Sequence, residues 1–408
     1  MLADVFPSLR RSTKVWASKL STLSDFTKRR SFLGRRFAFW RSKGRETSDS
    51  GPIARRYNAH LLLQPIALLL TVSSMPADLS FNKKRTSMAQ KPDLAALFGA
   101  TNAETFLGLP ACKDLTNIDA SSAFIGAPCA TPYGSVGAYA QNGPESLRQA
   151  IASLTANINR HNFDLGGPTF PEGTKRAVDC GDLPWSGTDF PNNRQTIQET
   201  VASVLACGVI PMVVGGDDSI PIPMLQAMGG TGKKYTVLQI DAHIDWRDTH
   251  MGENMGLSST MRRASEMDHI EKIIQVGARG IGSGHSSDYE DAVAWGSIFF
   301  TGPDIHARGM RQVIEQIDVG ANVILCIDID ALDPSIAPNT IGRSPGGLSY
   351  YQALELINGA AERGHIAAVD FVEIMPEVDI DGLGGLTVSR LVAATMGILA
   401  RQQAEQFS

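Results

Sequence analysis

The sequence predicts an α/β protein in which helices cover both faces of a mostly parallel β-sheet. The first reason is alternation. From Ser122 onward, short apolar segments typical of buried strands alternate with longer segments of helical spacing, and Gly-rich joints separate them. The second reason is that several of the apolar segments end in acidic residues. Ligand sites of open α/β sheets lie beyond the carboxyl ends of the strands, so acidic residues at these positions fit the same fold class.

Each predicted element rests on its own local pattern. The segment 123–126 is apolar and runs into a Gly/Pro turn, whereas residues 145–156 place leucine and isoleucine at helical spacing. A second helix is predicted for 196–207, because Gly208 follows it as glycine often follows the end of a helix. The remaining predicted strands are 178–182, 209–214, 237–240, 273–276, 297–300, 323–327 and 367–371.

Residues 1–87 differ in composition from the rest of the chain. They carry 17 Lys and Arg against 5 Asp and Glu, whereas the remaining residues carry 20 against 37. Their apolar patch, 60–72, is interrupted by polar and proline residues and is too short to span a membrane. Two interpretations remain open: a transit peptide, which implies mitochondria, or translation from Met88, which implies a cytoplasmic protein. We therefore predict a basic Ser/Arg-rich extension over 1–87, disordered, cleaved or not translated, and a single functional domain over 88–408.

The acidic balance of that domain argues against binding to nucleic acid and is compatible with a cationic substrate. The five cysteines are scattered, odd in number and form no Cys-x-x-Cys pair, so neither a disulfide framework nor a zinc knuckle is predicted. This use of cysteine is typical of proteins from reducing compartments. Cys207 and Cys326 lie in apolar runs and are expected to be small core residues.

Three acidic motifs follow three of the predicted strands. They are Gly-Gly-Asp-Asp-Ser at 215–219, Asp-Ala-His-Ile-Asp at 241–245 and Asp-Ile-Asp-Ala-Leu-Asp-Pro at 328–334. Alternate residues of an extended segment point the same way, so the acids and the histidine within the second and third motifs are expected to share one side. Five carboxylates and one imidazole on one sheet edge would repel each other strongly without a cation. The sequence therefore predicts a metal site, with these candidate ligands: Asp218, Asp241, His243, Asp245, Asp328 and Asp330.

The candidate ligands are mostly carboxylates with one imidazole. Hard oxygen donors favour Mn²⁺ or Mg²⁺, whereas zinc prefers Cys and His in closed sites. Six candidate ligands are too many for one ion without bridging, but they suit two ions that share a carboxylate. Such a pair of ions lowers the pKa of water toward neutrality and thereby provides hydroxide for attack on an electrophilic carbon. The motifs thus predict metal-dependent hydrolysis.

In this order and at this spacing, the three motifs resemble those of the ureohydrolases, the family of arginase, agmatinase and the guanidino-acid hydrolases. The resemblance extends through the body of the chain, from 125–128 to 372–376, and includes 178–182, 275–279 and the loop 337–348. It implies a three-layer α/β/α fold around about eight mostly parallel strands. It also implies hydrolysis of a guanidino group to urea and an amine, two Mn²⁺ ions per subunit with Ni²⁺ as the alternative, and a homotrimer or homohexamer.

The same resemblance implies a role for each site residue. Asp245 would orient the nucleophile as well as bind metal, and Glu373 would grip the guanidinium, whose planar fork of donors suits a carboxylate. Asp241 and Asp328 would bridge the two ions. The implied ligand groups are Asp218, Asp241, Asp245 and Asp328 for one ion, and Asp241, His243, Asp328 and Asp330 for the other.

The chain departs from the family pattern in two places. The usual first motif is Gly-Gly-Asp-His-Ser, and Asp218 stands where that histidine would be. The exchange makes the site more anionic and harder, which favours Mn²⁺ over Ni²⁺. Agmatinase-like chains also carry a His-Gly pair in the loop after the second motif, and residues 250–259 lack it. His250 is the nearest imidazole and is the candidate substrate-binding residue of that loop.

Several functions remain open on these residues. The leading prediction is an amidinohydrolase acting on an agmatine-like guanidine. The alternatives are a guanidino acid such as guanidinobutyrate or guanidinopropionate, whose carboxylate Arg262 or Arg263 could bind, and a substituted guanidine or biguanide. Metal-dependent deacetylases share the general fold and an Asp-x-His motif but hold one zinc ion, which the full acidic set argues against. The altered first motif also leaves open an inactive partner subunit.

Overall fold

The computed structural model describes residues 104–282 and 284–406. The predicted extension over 1–87 and the domain start at residue 88 lie outside the described residues. Within the described part of the chain, ten strands form one eight-stranded sheet and one antiparallel pair. In chain order the strands are β1 (Ser122–Gly126), β2 (His161–Asn162), β3 (Gly167–Pro168), β4 (Val178–Asp182), β5 (Ile210–Val214), β6 (Tyr235–Ile240), β7 (Ile270–Val276), β8 (Ile298–Phe300), β9 (Asn322–Asp328) and β10 (His365–Val372).

The large sheet has the strand order β4–β1–β5–β10–β9–β6–β7–β8, and all neighbouring strands pair in parallel. Strands β9 and β10 are inserted between β5 and β6, so the connection from β5 to β6 crosses the middle of the sheet. Ligand sites in open α/β sheets lie where the strand order reverses in this way. The predicted fold class, an α/β/α arrangement around about eight mostly parallel strands, is confirmed.

Helices cover both faces of the sheet. Successive side chains of each strand point to opposite faces, so they contribute to two different apolar cores. Phe124 and Leu325 belong to one core, and Ile125 and Ile324 belong to the other. The α-helices are α1 (Gly143–Ile151), α2 (Phe190–Ala206), α3 (Pro221–Met228), α4 (Thr260–Ser265), α5 (Ser286–Trp295), α6 (Gly302–Arg308), α7 (Arg311–Ile314), α8 (Tyr350–Arg363) and α9 (Leu383–Gln406). The first core includes residues of α1, α8 and α9, and the second includes residues of α2, α3 and α4.

The predicted helix over 196–207 begins earlier, at Phe190. The Asp189 side chain caps it by accepting a hydrogen bond from the backbone N–H of Asn192 at 3.2 Å, and Pro191 lies in its first turn. Capping and a proline in the first turn fix a helix start without any apolar spacing. The predicted helix over 145–156 is also divided, since α1 ends at Ile151 and a 3₁₀ segment, Ala152–Asn157, follows.

The acidic residues of edge strand β4 have a structural role. Arg148 of α1 is almost fully buried, and its guanidinium binds both carboxylate oxygens of Asp179, at 2.8 and 3.0 Å. The third nitrogen of the guanidinium, Nη1, donates to Asp182 at 2.6 Å. Bidentate pairs of this kind fix orientation as well as charge. They join helix α1 to the edge of the sheet and thereby explain why this strand ends in acids.

Helix α9 is the one helix in the described ranges that is long and apolar enough to cross a membrane by length and composition. In this fold 78% of its apolar segment is buried. It packs against α1 and α8 within the first core. Its apolar composition is therefore explained by its position inside the protein.

Candidate metal centre

Four adjacent strands bring the three acidic motifs together. Asp218 follows β5, Asp241 follows β6 directly, Asp328 is the last residue of β9 and Glu373 is the first residue after β10. The strands lie in the order β5–β10–β9–β6 and run parallel, so their carboxyl ends meet at one edge of the sheet. The motifs are thus neighbours in space although more than 150 residues separate Asp218 from Glu373.

Two groups of three side chains are spaced to hold a metal ion. In each group, one ligand-type atom per residue lies within 4.8 Å of the others. One group consists of Asp241, His243 and Asp330, and the other of Asp218, Asp241 and Asp328. Because Asp241 belongs to both, the geometry suits two neighbouring ions that share a carboxylate. Asp245 is tied to Asp241 through a common hydrogen-bond donor, the Gln239 amide.

The cluster is deeply buried and strongly acidic. Its five aspartates are each at most 6% exposed. Burial, followed by repulsion from the neighbouring carboxylates, holds the pKa of Asp218 and of Asp328 well above the usual range. One oxygen of Asp218, Oδ2, is buried without a hydrogen-bond partner in the described residues. A buried, unpaired carboxylate oxygen facing other carboxylates is the environment that a bound cation completes, so these residues fit a metal centre.

His243 is the imidazole of the cluster. Its Nδ1 lies 3.0 Å from Asp330 Oδ2 and 3.5 Å from Asp241 Oδ1. Burial disfavours the charged ring, but hydrogen bonds to these two acids raise the pKa of His243 to about 12. Burial likewise opposes ionisation of Asp241, but hydrogen bonds with His243 and Asp245 lower its pKa to about 2. A proton on His243 thus supplies positive charge in this part of the cluster.

Asp328 and Asp330 of the third motif lie close together, but not through alternation along an extended strand, as was expected. Asp328 ends β9, and Ile329–Ala331 then forms a 3₁₀ turn. The Asp328 carboxylate accepts a hydrogen bond from the backbone N–H of Asp330 at 2.8 Å, so it caps the turn that carries Asp330. The expectation that Asp330 lies on an extended segment is therefore wrong, because capping turns the chain directly after Asp328.

Two acids of the site have left-handed backbones. Asp245 has φ +44° and Glu373 has φ +66°, a conformation that few residues other than glycine adopt. The backbone N–H of Glu373 donates to the carbonyl of Gly216 at 2.8 Å, which helps to hold this conformation. Strain of this kind tends to persist at functional sites. The family resemblance implies that one of these residues orients the nucleophile and that the other binds the guanidinium. Both therefore combine an implied functional role with an unusual backbone conformation.

Glu373 is held by two donors on a single oxygen. Its Oε1 accepts a hydrogen bond from the Tyr139 hydroxyl and another, at 3.0 Å, from the backbone N–H of Asp218. Burial raises the pKa of Glu373 to about 8. Tyr139 was not predicted as a site residue, because it lies in a Gly/Tyr/Ala-rich loop 234 residues before its partner.

Two glycines allow the backbone to approach the cluster closely. Gly216 has φ +67°, and a Cβ there would lie 2.5 Å from the carbonyl of Ala127. A Cβ on Gly342 would lie 2.5 Å from Asp330 Oδ2 and 3.1 Å from the His243 ring. Any side chain at these positions would displace the first motif or fill the space beside the imidazole.

His250, the predicted substrate-binding residue, lies in the loop after β6. Its ring packs edge-on against Tyr133, with 4.8 Å between ring centroids, and its backbone pairs with Glu253. Tyr133 in turn accepts a hydrogen bond from the backbone N–H of Ser258 at 3.2 Å. These contacts anchor the loop, and a role for His250 in substrate binding stays a prediction. Arg262 and Arg263 form ion pairs with Glu266.

Comparison with known proteins places the chain in one family. A model of the arginase family matches residues 120–397. Guanidinobutyrase of Pseudomonas aeruginosa is 26% identical over 307 residues, which cover 73% of this chain and 93% of that protein. The mitochondrial agmatinase of Gallus gallus is 28% identical over 301 residues, which cover 72% of this chain and 85% of that protein.

A solved structure shows the same fold. The hypothetical agmatinase from Burkholderia thailandensis matches with a TM-score of 0.63 at 24% identity, covering 74% of this chain and 91% of that one. The residues matched by the family model include all three acidic motifs and Glu373. The chain therefore belongs to the arginase family of amidinohydrolases, enzymes that cleave a C–N bond of a guanidino group and generally hold two manganese ions.

Proposed function

We propose that this protein hydrolyses the guanidino group of a small, agmatine-like guanidine to urea and an amine. The observation that carries the proposal is the position of Glu373 beside the buried acidic cluster. One of its carboxylate oxygens accepts two hydrogen bonds, and within the described residues the other accepts none. A guanidinium is the planar, cationic donor that such an oxygen suits. A guanidino acid is the second candidate, because the guanidinobutyrase of Pseudomonas aeruginosa matches this chain over 93% of its own length and 73% of this chain.

The proposed metal ligands are the two groups named from the sequence. Asp218, Asp241, Asp245 and Asp328 would hold one ion, and Asp241, His243, Asp328 and Asp330 the other. Three residues of each set are spaced to hold an ion, and the family resemblance adds Asp245 to the first set and Asp328 to the second. Their oxygen-rich composition favours Mn²⁺, with Ni²⁺ as the alternative. When bound, two divalent ions supply the positive charge that lowers the pKa of water and so provides the nucleophile.

The protein's own residues bind and orient the reactants. The second oxygen of Glu373 would accept N–H groups of the guanidinium, and the half-buried Tyr139 hydroxyl keeps the first oxygen from turning toward the substrate. Asp245, buried and hydrogen-bonded through one oxygen to the Gln239 amide, would orient the attacking water with the other. Deep burial of the acids excludes bulk water and strengthens these interactions.

The reaction balances without a further reactant. The oxygen of water adds to the guanidinium carbon, and the bond from that carbon to the substituted nitrogen breaks. Both protons of the water end on the leaving nitrogen, so an alkylammonium ion and neutral urea are the products.

We further propose that the protein forms a homotrimer or homohexamer. We also propose that it is cytoplasmic, or mitochondrial if residues 1–87 are a transit peptide.

The test is urea release from a panel of guanidines with Mn²⁺ or Ni²⁺ supplied. The panel holds agmatine, 4-guanidinobutyrate, 3-guanidinopropionate, arginine and a biguanide, and we expect the highest kcat/KM for agmatine with Mn²⁺. A higher value for 4-guanidinobutyrate would select the guanidino-acid alternative. Absence of urea from every compound, at full metal occupancy, would overturn the enzyme proposal in favour of an inactive partner subunit.

A matched pair of variants tests the role of Glu373. We expect Glu373→Gln to lower kcat/KM by on the order of 10²-fold or more, because the guanidinium loses its charged partner. Glu377→Gln is the control, since Glu377 lies on the same segment and its exposed carboxylate accepts a hydrogen bond from the Asn142 amide at 2.6 Å. Equal activity of the two variants would rule out Glu373 as the guanidinium partner.

A further inference from the structure

One buried amide reaches two of the proposed ligands at once. Gln239 lies on β6, two residues before Asp241, and is 2% exposed. Its Nε2 donates to Asp241 Oδ2 and to Asp245 Oδ2, each at 2.7 Å. A carboxamide nitrogen carries two hydrogens, and here both form hydrogen bonds to carboxylates of the candidate metal centre. No feature of the sequence motifs identifies it.

The orientation of this amide is set by two further side chains. Gln239 Oε1 accepts a hydrogen bond from Gln275 Nε2 at 2.5 Å, and Gln275 Oε1 accepts one from the Ser297 hydroxyl at 2.9 Å. The second hydrogen of Gln275 goes to the carbonyl of Ile244 at 2.8 Å. A flipped Gln239 would set its oxygen against two carboxylates and its nitrogen against the nitrogen of Gln275. Only one orientation therefore satisfies the whole series.

The series crosses three neighbouring strands. Gln239 and Gln275 are direct register partners on β6 and β7, and Ser297 immediately precedes β8. All three are buried, so water does not replace the hydrogen bonds. The edge of the sheet thus acts as a rigid support for the amide that reaches the acids.

We propose that Gln239 is a positioning residue of the metal centre, which sets the spacing between the Asp241 and Asp245 carboxylates and leaves one oxygen of Asp245 free for metal or water. Asp245 needs such a support because its backbone is left-handed and no strand directs its side chain. A neutral donor suits the task. A lysine would hold the same oxygens but would also neutralise the charge that attracts the cations. The inference rests on the proposed metal-dependent function, but it concerns metal retention first.

The test compares Gln239→Met with a matched glutamine elsewhere. Gln402 is also buried, and its amide makes two hydrogen bonds to the backbone of Ile366, at 2.8 and 3.0 Å. We expect Gln239→Met to lower the affinity for Mn²⁺ by about 10- to 100-fold, as measured by metal analysis after equilibration with buffered Mn²⁺. Gln402→Met should lose thermal stability but hold as much Mn²⁺ as the parent protein.

Gln275→Met gives a second, independent arm. It leaves the Gln239 donor in place but removes the group that orients it, so we expect a smaller loss of Mn²⁺ affinity than for Gln239→Met. If Gln239→Met does not fold, this variant still decides the question. Mn²⁺ affinity unchanged in the folded variants, or lowered equally by Gln402→Met, would overturn the inference. Metal analysis does not depend on urea release, so failure of the proposed function would be seen separately, as an inactive parent protein that still binds Mn²⁺.

Discussion

The two halves of the candidate metal centre differ in how the charge of their buried acids is compensated. The imidazole half consists of Asp241, His243 and Asp330, and the carboxylate half of Asp218, Asp241 and Asp328. In the imidazole half, His243 forms a close ion pair with Asp330, and its side chain is 25% exposed. In the carboxylate half, all three side chains are acids and each is at most 4% exposed.

The difference leads us to expect that the carboxylate half depends more strongly on a bound cation. A protonated His243 compensates part of the charge of its neighbours: hydrogen bonds to Asp241 and Asp330 raise its pKa to about 12 although burial opposes it. Burial and repulsion from Asp241 still raise the pKa of Asp330. The carboxylate half has no such internal cation, and burial with mutual repulsion raises the pKa of Asp218 and Asp328. Burying several acids without a partner cation is costly, so we expect the loss of metal to affect this half more than the other.

The largest effect is expected from Asp241→Ala, because this residue belongs to both halves. Loss of the shared carboxylate should remove both ions and lower urea release by on the order of 10³-fold or more. Metal analysis and steady-state kinetics measure the two effects. Asp248→Ala is the control, because Asp248 is close in sequence but exposed and paired with Arg263. Retention of two ions by Asp241→Ala would show that the halves do not share this ligand.

Smaller effects, opposite in sign, are expected for the stability of the metal-free protein when one acid of each half is removed. Asp330→Ala leaves His243 without its 3.0 Å partner, and we expect the free energy of unfolding to fall by about 1–3 kcal/mol. Asp218→Ala instead removes one of several repelling acids, so the metal-free variant should be at least as stable as the parent protein.

Thermal denaturation in the presence of a chelator measures both variants. With Mn²⁺ supplied, each variant should hold one ion fewer than the parent protein. If Asp218→Ala still holds two ions, Asp218 is not a ligand. If it is the less stable of the two without metal, the contrast between the halves is wrong.

The fold was predictable because its periodicity is local. The strand predicted over 178–182 matches β4 residue by residue, and the apolar run before the third motif lies within β9. The start of α2 was missed by six residues, because Asp189 and Pro191 fix it through capping and backbone geometry and not through apolar spacing. Spacing alone therefore locates an element better than it locates its ends.

The site was predictable only in part, for a related reason. Acids at strand ends are visible along the chain, whereas Gln239, Gln275 and Tyr139 acquire their importance from partners on other strands or loops. The Gln239–Gln275 contact joins residues 36 apart, and Tyr139 contacts Glu373 across 234 residues. Such pairs follow from sheet order, which the motifs do not specify. Glu373 was identified through family resemblance and not through any local pattern.

The smallest effect should come from making the halves alike. Asp218→His restores an imidazole to the carboxylate half, and we expect the variant to keep two ions but to shift its preference severalfold from Mn²⁺ toward Ni²⁺, because imidazole is a softer ligand than carboxylate. Competition between the two metals, followed by metal analysis, measures the shift. Asp218→Asn is the matched comparison, since it removes the charge but adds no imidazole. An equal shift in both variants would mean that charge, and not ligand softness, sets the metal preference of this half.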